Sequence, residues 1–246
     1  MKEILSNEQN TYVFLFNRFV SMFKTILSIS SANNMVDNSS INILTRSAME
    51  LSLTLDYLLF ATYIHNADSE DERKLKLHAY FLEGYLSKKK EFALLDEAGF
   101  RENKHYEGTI DEKILELRDK IESNPAYSLL SEAAKKSIGR KRFLTESESL
   151  SYIKMMKKVY KNEFIPIQYT YLSGYTHSGY ESFLFQKHAE QIKDNRLLIL
   201  YMSCASVFLT IRSYFKVDLD CFSEKENAIM LEFVAMGFTE AYNRIK

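Results

Sequence analysis

Apolar residues recur at three- and four-residue spacing along most of this chain, the period of helices packed on one side. The first such segment, residues 7–31, places Val13, Phe16, Phe19, Val20, Phe23 and Ile26 on an apolar face. The second, residues 39–65, is apolar nearly all round beyond Met49 and is therefore expected at the centre of the fold. A third begins after Ser69 and stops near Gly99, a residue suited to the left-handed conformation that ends many helices. A polar loop over residues 99–107 leads to shorter helices, 110–122 and 126–137, with Asn124-Pro125 as the break between them. Further helices are predicted from Thr145 to about residue 160, then over 166–177, 180–215 and 224–245. No segment alternates with the strand period, and no internal repeat is present.

Helix starts are marked by a recurring signal. Ser69-Glu-Asp-Glu72, Thr109-Ile-Asp-Glu112, Thr145-Glu-Ser-Glu148 and Ser223-Glu-Lys-Glu226 all have the capping-box spacing. There a hydroxyl and a carboxylate three residues apart each satisfy a free backbone N–H.

Composition sharpens the class. Two prolines and seven glycines in 246 residues are well below average usage of roughly 5% and 7%, so turns are few and helices long. The expected fold is all-α, a bundle of long antiparallel helices forming a single domain over 1–246. A more polar helical insertion or lid is expected over about 100–162. The net charge of −1 exerts no global pull on nucleic acid or anionic lipid.

Cys204 and Cys221 are too few for a disulfide framework and match no metal-ligand spacing, which suggests a reducing, cytoplasmic setting. The polar first ten residues do not resemble a secretion signal. The longest run without Asp, Glu, Lys, Arg or His, residues 197–211, spans about 22 Å as a helix, short of a bilayer core of roughly 30 Å. It is expected to be a buried helix, with no membrane partner.

The chemistry-bearing residues fall in two ladders. Arg46 and Glu50 lie one helical turn apart among Ile41, Ile43, Leu44, Met49, Leu51, Leu53 and Leu55. Tyr169, Ser173 and His177 lie four residues apart in Tyr169-Thr-Tyr-Leu-Ser-Gly-Tyr-Thr-His177 and share a face if that segment is helical. An arginine in apolar helix requires a carboxylate and further acceptors, so the two ladders are expected to meet. The cluster serves either to fix the fold or as a catalytic or binding site. A Ser173–His177 nucleophile pair lacks the strand-to-helix elbow and the oxyanion hole of a serine hydrolase. A histidine beside Ser178-Gly179 is better placed to meet a phosphate or a ribose hydroxyl and to transfer protons near neutral pH.

An early R-x-x-x-E helix followed by a Y-x-x-x-S-x-x-x-H segment resembles an uncharacterised bacterial all-helical family, a domain of unknown function. The family-like core covers about 10–100 and 160–245. The chain is also distantly similar to the HEPN superfamily of toxin and antiviral ribonucleases. That resemblance implies metal-independent RNA cleavage by an arginine and a histidine spaced R-x(4–6)-H, completed across a dimer. Arg73-Lys-Leu-Lys-Leu-His78 has this spacing but lies early in the third helix, among charges read as solvated.

A basic run, including Lys135, Lys136, Arg140, Lys141, Arg142, Lys154, Lys157, Lys158 and Lys161, is interleaved with Phe143, Tyr152 and Tyr160. Arg140, Lys141, Arg142, Lys157 and Lys158 are the candidate nucleic-acid contacts, with the aromatic rings available to stack bases. Glu102-Asn-Lys-His105 has di-iron spacing, but only once and in a predicted loop, so neither metal nor cofactor is expected. The 33 Phe and Tyr side chains mostly fill the core; any surplus on the surface would favour a homo-oligomer or a partner protein.

The leading functional expectation is a bacterial stress, toxin or antiphage-defence protein of HEPN-like type, acting on RNA or sensing a nucleotide. If it is an enzyme, it is a metal-independent ribonuclease using His177, Arg46, Glu50, Ser173 and Tyr169. The alternative is a non-catalytic helical interaction module whose polar cluster is structural.

Overall fold

Every regular element among the described residues is an α-helix. The computed structural model describes residues 7–31, 38–59, 69–99, 104–139, 151–159 and 164–176, together with 200, 203, 207, 223–226 and 228. The helices are α1 (Asn7–Ser31), α2 (Asn38–Leu59), α3 (Glu70–Glu97), α4 (Lys104–Glu122), α5 (Pro125–Ser128), α6 (Glu132–Ser137), α7 (Tyr152–Val159) and α8 (Phe164–Thr176).

The chain divides into two compact units. One is assembled from separated segments, Met1–Ala67 and Ser151–Lys246, and the other is the continuous stretch Asp68–Leu150. The first contains α1, α2, α7 and α8, with α2 packed against each of the other three. Residues 52–58 of α2 are all buried, as expected of a central helix, and they include the polar Ser52, Thr54 and Asp56. Tyr12, Leu15, Phe19 and Ile26 form the buried seam of α1, while Val13, Phe16, Val20 and Phe23 are half-buried. The face read from sequence is therefore split between a core seam and a partly open one. Leu200, Ser203 and Val207 are helical and buried, in keeping with the buried helix expected over 197–211.

Within the other unit, α3 and α4 pack along Leu75, Leu82, Ile110, Ile114, Leu117 and Ile121, and Ala126 of α5 closes the cluster. The capping box at Ser69 is complete. Its hydroxyl accepts from the Glu72 N–H, and the Glu72 carboxylate accepts from the Ser69 N–H at 2.6 Å. Ser223 and Glu226 form the same reciprocal pair. Gly99 follows α3 with φ +85, the left-handed stop foreseen for it.

Two boundaries differ from expectation. α4 begins at Lys104, so Thr109–Glu112 lies inside it, and the Asp111 carboxylate accepts from Lys89 Nζ at 2.6 Å. The segment read as one helix over 126–137 is two. Asn124 caps α5, and Ser131 starts α6 by accepting from the Ala134 N–H at 3.2 Å. Side-chain acceptors that compete for backbone donors divide the chain there. The Thr145 box and the segment 180–199 lie outside the described residues.

Candidate functional site

α8 begins at Phe164 with Pro166 in its first turn, where the missing backbone N–H removes no helical bond. Ile165, Tyr169 and Leu172 then form a buried stripe at i, i+4 and i+7, and α8 packs against α2. This directs the Tyr169 phenol toward the turn of α2 that carries Arg46 and Glu50.

The three side chains bond to one another. Arg46 Nε donates to Glu50 Oε1 at 3.0 Å, and the Tyr169 hydroxyl donates to the same oxygen at 2.6 Å. Arg46 Nη2 reaches the phenol oxygen at 3.5 Å, and the guanidinium lies 5.3 Å from the centre of the Tyr169 ring. Tyr152 of α7 packs beside Tyr169, the two ring centres 6.2 Å apart. The expected meeting of the two ladders occurs, at the edge of the core rather than deep within it. The Arg46 and Glu50 side chains keep 19% and 27% of their surface exposed.

Magnitudes rank these contacts. An (i, i+4) ion pair with this much water access contributes about 0.3–0.5 kcal/mol. The short phenol–carboxylate bond is charge-assisted, joins two helices and contributes more, about 1–2 kcal/mol. Burial and the hydrogen bond to Glu50 push the Tyr169 phenol up to about 12. Tyr169 therefore keeps its proton at neutral pH and donates it to Glu50. Burial pulls the Arg46 guanidinium down, but Tyr169 and Glu50 outweigh it and hold its pKa above the ordinary value.

The remaining residues singled out from sequence divide as follows. Ser173 donates its hydroxyl proton to the Tyr169 carbonyl at 2.8 Å, a bond within α8. Lys157 is exposed on α7, and Lys158 follows it on the same helix. His177, Arg140, Lys141 and Arg142 lie outside the described residues. In the Asp68–Leu150 unit, the Arg73–His78 segment is less solvated than its charges suggest. Lys76 is buried, with Leu75 and Leu77 on either side of it. His78 lies between Leu75 and Leu82 on the stripe facing α4, its Nδ1 buried without a hydrogen-bond partner among the described residues. Burial, then Lys120 and Lys74, lower its pKa below 6.5.

Sequence reasoning overlooked a second polar stripe on α2. Asn42, Thr45, Ser52 and Asp56 are all buried, and their successive spacings of three, seven and four were the available signal. It also passed over residues Gln9–Ile29 of α1, which are long and apolar enough by composition to cross a membrane although only 22% of that window is buried. Among the described residues, no group of three or more His, Cys, Asp or Glu side chains gathers as a metal set.

The Family of unknown function (DUF5677) matches residues 10–195, three-quarters of the chain. The chain belongs to this family. The DUF5677 match runs from α1 through α8 and includes Arg46, Glu50, Tyr169, Ser173 and His177. No curated protein and no solved structure matches this DUF5677 chain.

Proposed function

We propose that this DUF5677 protein is a bacterial stress or antiphage-defence component of HEPN-like type, working in the cytoplasm on RNA or on a nucleotide. The observation that carries this is the convergence of Arg46, Glu50 and Tyr169 between α2 and α8 at a point still open to water. In such a site Arg46 engages phosphate, neutral Tyr169 donates a hydrogen bond, and His177, further along the same sequence ladder, moves protons. Lys154 and Lys157, exposed on α7, add positive charge on the helix that brings Tyr152 to Tyr169. The half-open apolar seam of α1, with Phe14 64% exposed, supports self-association.

The short bond that Tyr169 donates to Glu50 favours a second role, a non-catalytic interaction module in which these two residues lock α8 to α2. RNA cleavage and growth arrest on expression, compared between wild type, His177→Ala and Arg46→Ala, separate the two. Under the first proposal the wild type cleaves or binds RNA and both variants lose this while melting near the wild type. Inactivity of the wild type, with melting losses in Arg46→Ala, would leave the structural role.

A further inference from the structure

Glu50 pairs with Arg46, so the two opposite charges offset each other and the pair attracts phosphate weakly as it stands. The pair is nevertheless built to open. It joins neighbouring turns of one helix, it is part-exposed, and Glu50 has a second donor in Tyr169 that remains if Arg46 leaves. A phosphate offers a guanidinium two parallel charge-assisted bonds, a better match than the Nε–Oε1 contact to Glu50. Arg46 also stacks on the Tyr169 ring, so the side chain has a platform on which to turn without losing all its contacts.

We infer that Glu50 is an internal competitor that holds Arg46 in reserve, and that a ligand phosphate takes Arg46 from it while Tyr169 keeps Glu50 in place. This rests on the proposed action on RNA or a nucleotide and specifies how that site is controlled. The competing anion belongs to the protein and is constant, so it sets a threshold. A weakly held anion does not displace it, whereas a polyphosphate or a nucleic-acid backbone, anchored elsewhere as well, does.

The test uses the full chain with a labelled single-stranded oligouridylate and with ADP, measuring affinity for each across a salt series. Glu50→Gln keeps an acceptor for Tyr169 but removes the competing charge, and should bind about two- to tenfold tighter than the wild type. Arg46→Gln should weaken binding and reduce the salt slope by about one. Tightening with RNA alone assigns a backbone phosphate, and tightening with ADP alone assigns a free nucleotide. Should Glu50→Gln fold poorly, the Arg46 Nε–H resonance of the wild type, assigned by its loss in Arg46→Lys, provides the same readout and should move on titration with either probe. Wild-type binding left unchanged by Glu50→Gln, or a stationary Arg46 resonance despite binding, would overturn the competitor role while leaving the proposed function intact. If neither the wild type nor Glu50→Gln binds either probe, the proposed function itself fails.

Discussion

Tyr169 on α8 donates its phenolic proton to Glu50 on α2 at 2.6 Å, across 119 residues of sequence. It bridges α2 and α8 and accounts for why a carboxylate and an arginine are tolerated in so apolar a helix. Glu50 satisfies two donors with one oxygen, and Tyr169 finds an acceptor at the border of the core.

Replacing Tyr169 by Phe removes the cross-helix bond and keeps the ring. Part-exposure of Glu50 lets water replace the lost donor, so the cost should be about 1 kcal/mol. For a chain of this size that lowers the thermal midpoint by roughly 2–4 °C. Circular-dichroism melting of the variant beside the wild type checks it, and an unchanged midpoint would mean that the bond adds nothing to stability.

The same bond has a signature at high pH. The Tyr169 phenol is raised from 10.0 to about 12, so the folded state keeps its proton where the unfolded state has lost it. The stabilisation is full below pH 10 and is lost as pH rises through the folded value. A difference titration of phenolate absorbance, wild type minus Tyr169→Phe, should therefore show a midpoint near 12.

His78 works in the opposite direction. Its pKa is lowered below 6.5 by burial, Lys120 and Lys74, against an opposing contribution from Glu116. The unfolded chain binds this proton more readily, so the stabilisation present above pH 6.5 falls away as pH drops through the lower folded value. His78→Leu should flatten the acid side of the stability profile, as measured by urea midpoints between about pH 7 and 5. A profile as steep as that of the wild type would show that other groups govern the acid response.

Two glycines should respond with opposite signs. Gly139 has φ +74, and a Cβ there would lie 3.1 Å from both Leu82 Cδ2 and Leu86 Cδ1. Gly139→Ala combines backbone strain with crowding and should cost about 1–3 kcal/mol. Gly84 lies within α3, and a Cβ there would meet nothing within 4 Å. Gly84→Ala should stabilise by about 0.5–1 kcal/mol. Urea midpoints of the two variants, at unchanged slope, decide both.

Local rules made some features legible in advance and hid others. The extent of α1 and the cap at Ser69 follow from hydrophobic period and from residues three positions apart. The meeting of Arg46 and Glu50 with Tyr169 could be anticipated because an arginine in apolar helix requires partners, and few segments offered them. The start of α4 at Lys104 was misread because a capping-box spacing also occurs inside helices, as at Thr109–Glu112, where the intervening Asp111 serves Lys89 on another helix.

The sequence by itself determined that this chain is helical, where several of its helices begin, and which polar residues could not stand alone. Those properties depend on the period of side chains around a helix and on groups within a turn of one another. Only the tertiary structure decided that Arg46 and Glu50 lie at the margin of the core, that Tyr169 is held as a proton donor, and that Asn42, Thr45, Ser52 and Asp56 are buried. Exposure and proton affinity depend on what packs against a residue from elements distant in sequence, and a polar side chain looks the same in the chain whether its neighbour is water or another helix.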